Sequence, residues 1–126
     1  MKWMGTNNKA IAFLRVSSLG QEGNTSRMTQ ERDVKSYSSA LGLELVEICY
    51  LVESAKDSSM RKKYKEKDRW ADKNSIRHRI FHRYDREARN LTDNENTETK
   101  VRQDKVDLHY ALDKNSHARK RAPFPT

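Results

Sequence analysis

The sequence predicts an α/β domain, a mostly parallel four-stranded sheet flanked by helices. Three observations carry that prediction. Ala10–Val16 is an apolar, β-prone run; Val34, Tyr37 and Leu41 recur at helical spacing; and Leu43–Val52 returns to a strand-like pattern after Gly42. β-α-β is the economical reading, and it implies parallel strands joined by a right-handed crossover.

Taken in order, Met1–Lys9 is polar and is expected to be a loose terminus ahead of a domain spanning residues 10–113. Ser17–Ser26, rich in Gly, Ser and Asn, reads as a loop. The first helix is expected from about Thr29 to Leu41, with Gly42 just past its end. Glu53–Ser59 reads as a polar turn. Met60–Lys73 follows as a helix with a thin apolar face of Met60, Tyr64 and Ala71, with Trp70 beside them. Arg79–Tyr84 has strand character. Thr92-Asp93-Asn94-Glu95 fits a capping box in which Glu95 reaches back to the Thr92 amide. Asn96–Lys100 then offers nothing to bury before Val101, so this helix is expected to start well and pack badly. Val106–Leu112 is the last predicted strand. Lys114–Thr126, a basic stretch with Pro123 and Pro125, is expected to be disordered.

The core is small for the length. Leu, Ile, Val and Phe make up 22 of 126 residues, under the roughly 20% level at which a disordered chain becomes a real alternative. Thirteen of them lie in residues 1–55 and nine in 56–126. Charge divides at the same place. The first segment carries six basic and six acidic residues, whereas the second carries 20 and 12 and so holds the whole net charge of +8. A basic half fits a polyanionic partner, with nucleic acid the leading candidate, or simply a solvated surface. The single cysteine, Cys49, excludes a disulfide framework and any cysteine-based zinc site within this sequence, and is expected in the core. No stretch approaches the ~18 apolar residues of a membrane span. The expected location is cytoplasmic.

Three polar clusters sit where strands should end: Arg15, Ser17, Ser18 and Gln21; Ser54, Ser58 and Arg61; Asp85, Arg86 and Arg89. In a parallel sheet the C-terminal strand ends share one edge, so the clusters are expected to converge. A hydroxyl nucleophile among arginines suits attack on a phosphodiester, because guanidiniums hold non-bridging oxygens and stabilise growing charge. Taken alone, Ser-Ser after a strand more often simply begins a loop or caps something, for Ser17 and Ser18 as elsewhere. Gly20-Gln21-Glu22-Gly23 lacks the spacing of a dinucleotide fingerprint and has no phosphate-loop lysine. His78, His82, His109 and His117 are too scattered to predict a metal site, and His78 and His82 are expected on a solvated surface.

Leu14-Arg15-Val16-Ser17-Ser18, then Gln21 and Gln30, resemble the catalytic domain of serine site-specific recombinases: resolvases, invertases and large serine integrases. Glu53-Ser54-Ala55 with Arg61 resembles that family's second motif. Tyr84-Asp85-Arg86-Glu87-Ala88-Arg89-Asn90 resembles its Asp-Arg-x-x-Arg-Asn motif, and the likeness covers about residues 10–113. The resemblance implies a resolvase-like fold and attack of Ser17 on DNA, giving a 5′-phosphoserine link and a free 3′-hydroxyl without metal or other cofactor. It also implies that Arg15, Arg61, Arg86 and Arg89 clamp the phosphate and that Gln21 and Asp85 order the site. Asp85 would either hold an arginine or handle the leaving-group proton. Double-stranded DNA is the implied partner, and a full-length form would be a homodimer or tetramer. The family's long dimerisation helix and DNA-binding domain have no counterpart in this sequence, so a truncated catalytic domain is expected. The alternative is a non-catalytic, basic nucleic-acid-binding protein derived from the same fold.

Overall fold

Strands and helices alternate along the computed structural model, which describes residues 7–16, 24–53 and 57–113. The order is β1 (Lys9–Val16), α1 (Asn24–Leu41), β2 (Glu44–Val52), α2 (Asp57–Lys73), β3 (His78–Phe81), α3 (Arg86–Thr92), α4 (Glu95–Arg102) and β4 (Asp107–Tyr110). The strands form one sheet in the order β2-β1-β3-β4, and every neighbouring pair is parallel. The α/β class and the four-stranded parallel sheet are therefore as the sequence predicts.

Strand alternation sorts the core. Ala10, Ala12 and Leu14 of β1 join Val34, Leu43 and Ile80 on the face that carries α1. Ile11 and Phe13 look the other way, into the larger core of Tyr64, Phe81, Leu91 and Leu108 under α2, α3 and α4. Phe13 anchors that side, with its ring centroid 5.4 Å from Phe81 and 4.8 Å from Tyr64. Cys49 is buried there as expected, and burial pushes its thiol up to about 11.

Helix ends follow one recipe three times. Gly42 takes φ 74°, its N–H reaches the Ser39 carbonyl at 3.1 Å, and the Leu43 N–H reaches Ser38 at 2.8 Å. That is a Schellman stop, which needs a left-handed residue. Ser75 (φ 58°) and Asp104 (φ 61°) do the same after α2 and α4 without glycine, which is why neither stop stands out in the sequence.

Several sequence expectations are corrected. Asn7 and Asn8 are not loose: their side-chain amides donate to the Ser75 and Gly42 carbonyls at 2.7 and 3.2 Å. α1 begins at Asn24, inside the expected Ser17–Ser26 loop and ahead of the expected start near Thr29, so Gln30 lies in its second turn. The Thr92 capping box does not form. Thr92 ends α3 with its hydroxyl donating to the Ala88 carbonyl at 3.1 Å, and Asn94 caps α4 by accepting the Thr97 N–H at 2.8 Å. Either residue offers a capping oxygen, and Thr92 is the one that is buried. The thin face of α2 is buried as read, through Met60, Tyr64 and Ala71, with the addition of Asp68. α4 packs better than expected, because Thr97 and Val101, four apart, are both buried and Lys100 reaches back to α2. His78 is wholly buried and the His82 side chain is only 14% exposed, against the solvated surface expected of them. Ser17, Ser18, Gln21, Ser54 and the Lys114–Thr126 tail lie outside the described residues. No described helix is long and apolar enough to cross a membrane.

Candidate active site

The sheet order reverses direction between β1 and β3. Ligands of open parallel sheets bind at such a switch point, outside the C-terminal strand ends. β1 delivers Arg15 there on the same face as Ile11 and Phe13, so its guanidinium lies on the side of α2 and α3. Arg15 Nη1 and Nη2 donate to the two oxygens of Asp85 at 2.8 and 2.6 Å, and Nε donates to Glu53 at 3.2 Å. Gln30 of α1 fixes the strand end by donating to the Arg15 carbonyl at 2.7 Å.

Asp85 does two jobs with one carboxylate. It clamps Arg15, and as the N-cap of α3 it accepts the Ala88 N–H at 3.0 Å. Burial pushes the Asp85 carboxyl up; the Arg15 and Ala88 hydrogen bonds and the charges of Arg15 and Arg83 outweigh that and hold it below the ordinary carboxylate range. The same pair, chiefly through its hydrogen bond, raises the Arg15 guanidinium further. Asp85→Ala is expected to be about 1 kcal/mol less stable than Asp85→Asn, because only alanine also removes the cap. Urea midpoints of the two variants check this; equal midpoints would show that the cap contributes nothing.

A cavity of about 370 Å³ opens at this edge, lined among others by Arg15, Gln30, Glu53, His82, Arg83 and Asp85. Its described charges balance, Arg15 and Arg83 against Glu53 and Asp85. His82 is held from behind by Asp33 of α1, Nε2 to Oδ2 at 2.8 Å. That hydrogen bond keeps the Asp33 carboxyl low. Arg15 uses three of its five N–H groups, leaving two without a partner among the described residues. Among the described residues the wall therefore presents two Arg15 N–H groups, able to donate to one further oxygen ligand, beside the His82 ring.

Of the predicted site residues, the structure brings Arg15 and Asp85 together and shows that Asp85 holds an arginine. Arg61 does not join them: it is exposed on α2, in a groove with Ser58, Lys62, Lys65, Glu66 and Arg69. Arg86 and Arg89 are exposed on α3 and do not line the cavity. Their spacing places them on the helix face opposite Ala88 and Leu91, which the core takes. The sequence reading missed Glu53 as an arginine partner, Arg83, and the His82–Asp33 pair. Pairing across 49 positions leaves no local pattern to read. Comparison with protein-family models, with curated proteins and with solved structures gives no match.

Proposed function

We propose that this chain carries the catalytic domain of a serine site-specific recombinase, cleaving double-stranded DNA through a 5′-phosphoserine intermediate. The observation that carries the reading is the seating of Arg15 on Asp85 at the switch point. It joins the first motif to the third, 70 residues away, at the sheet edge where a nucleophile following Val16 would act. Ser17 would attack the phosphorus, with the 3′-oxygen leaving. Arg15 would bind a phosphate oxygen through its remaining N–H groups, and His82 would carry a proton. Resolvase-likeness of the fold belongs to the same proposal.

A labelled library of randomised duplexes, mixed with the protein and then denatured, tests it. A covalent protein–DNA adduct is expected from the native chain, lost in Ser17→Ala and kept in Ser18→Ala. An adduct that survives Ser17→Ala would overturn the assignment of the nucleophile, and its absence throughout would overturn the reaction.

One observation favours a second reading. The cations Arg61, Lys62, Lys65 and Arg69 line an exposed groove on α2, while the described charges of the cavity balance. A non-catalytic nucleic-acid binder would show affinity that falls steeply with salt and is untouched by Ser17→Ala.

A further inference from the structure

At the opposite, N-terminal edge of the sheet lies a cluster that the cleavage reading does not use. His78 opens β3, Asp107 opens β4 directly beside it in register, and His109 follows two residues on. All three side chains belong to the α1 face. Their residues are 0%, 0% and 3% exposed. His78 Nδ1 lies 2.9 Å from His109 Nε2 and 3.7 Å from Asp107 Oδ2, and the three residues each offer a ligand atom within 4.8 Å of the other two.

The outer nitrogens are also held. His78 Nε2 lies 3.1 Å from the Asn7 carbonyl, and His109 Nδ1 lies 2.8 Å from the Tyr37 hydroxyl. A carbonyl only accepts, so His78 carries its proton on Nε2 and presents the Nδ1 lone pair inward. His109 then donates from Nε2 and accepts from Tyr37. Asp107 is oriented by Arg77, whose Nε donates to Oδ2 at 3.0 Å.

We infer that His78, His109 and Asp107 form a binding site for a zinc-class divalent cation that ties the start of β3 to the start of β4. Two imidazoles and a carboxylate suit zinc and its transition-metal neighbours rather than calcium or magnesium. Metal–ligand bonds of about 2.0–2.2 Å set tetrahedral donors roughly 3.3–3.5 Å apart, between the 2.9 and 3.7 Å found here. Oxygen partners on the far nitrogens are what ligating histidines use to fix their orientation. One rearrangement is needed. The His109 proton moves from Nε2 to Nδ1 within the same ring, and the Tyr37 oxygen accepts it. No proton leaves the pair and no redox step is involved. Burial of all three ligands makes the role structural. The inference is independent of the DNA-cleavage reading.

The test uses the full chain, stripped with EDTA, dialysed, and titrated with Zn²⁺ and with Co²⁺ as a spectroscopic probe. One equivalent of Zn²⁺ is expected to stay bound through gel filtration and raise the melting temperature, and Co²⁺ should show the intense visible bands of tetrahedral coordination. Tyr37→Phe, which keeps all three ligands, is expected to weaken binding about 10–100-fold by freeing the His109 ring. His78→Gln and His109→Gln should each abolish stoichiometric binding. Histidine nitrogen NMR of the native chain needs no variant: Zn²⁺ should shift His109 from the Nε2–H to the Nδ1–H tautomer. Failure to retain Zn²⁺, unchanged tautomers on its addition, or a bound ion that survives both histidine substitutions would each overturn the site.

Discussion

Asp68→Ala is expected to cost about 3–5 kcal/mol of folding stability, the range for removing one partner from a buried ion pair. Arg79, on β3, is wholly buried beneath α2. Its Nε donates to Asp68 at 2.7 Å, its Nη2 to Asp72 at 2.6 Å, and its Nη1 to the Ile76 carbonyl. Lys100 of α4 closes the group, with Nζ 2.6 Å from Asp68 and 2.9 Å from Asp72. Two cations face two carboxylates, so the set is neutral only as a whole. Asp68 is the shared centre: its loss leaves Arg79 buried with a single carboxylate that is 41% exposed. Arg79→Met should cost less, since Asp68 keeps Lys100. Asp72→Ala should cost no more than about 1 kcal/mol, because that partner is screened by water. A combined Asp68→Leu and Arg79→Met variant should recover part of the loss, as replacing a buried pair by apolar groups often does. Urea denaturation gives all four values. An Asp68→Ala midpoint close to that of the native chain would show that the network is not what holds α2 and α4 to the sheet.

This network also explains what could and could not be read from the sequence. The first βαβ unit was legible because its signals are local: apolar alternation in Ala10–Val16, helical spacing at Val34, Tyr37 and Leu41, and a glycine where a left-handed residue is required. The convergence of Arg15 and Asp85 was legible because parallel topology places strand ends on one edge. The second half was harder, because its buried positions are polar. Arg79, Asp68, His78, Asp107 and His109 occupy inward positions that an apolar pattern would have marked. Each is neutralised or hydrogen-bonded by a residue distant in sequence, so charge hid the periodicity and made the half look unable to pack. Arg61, Arg86 and Arg89 failed in the opposite way. A motif fixes their order along the chain, whereas the facing of a helix is fixed by which of its residues the core takes.

The second large effect is on acid stability. Between pH 6.5 and 4 the metal-free protein is expected to lose about 3 kcal/mol through His78 alone. Burial is the main cause that drives His78 down to about 4, from an ordinary 6.5, and Arg77 and Arg79 add to it. Asp107 and the Asn7 carbonyl oppose it, while His109 of β4, itself held by Tyr37 of α1, also faces it. A lowered histidine pKa means the unfolded chain binds the proton first. Stability is therefore full above about 6.5 and falls at up to about 1.4 kcal/mol per pH unit until the folded form also protonates. The lowered carboxyls of Asp33 and Asp85 act in the same direction, but their contribution is lost only in the acid carboxylate range, below about 4. The two windows separate, so a loss seen between pH 6.5 and 4.5 does not come from these carboxyls. Urea midpoints in EDTA at pH 7, 5.5 and 4.5 measure it, and His78→Gln should flatten the slope whatever it does to stability at pH 7. Midpoints that agree at pH 7 and 5 in the native chain would mean that His78 titrates normally and is not sealed from water. In Zn²⁺ the slope should steepen, because the proton then competes with the cation for the His78 Nδ1 lone pair as well as with the fold.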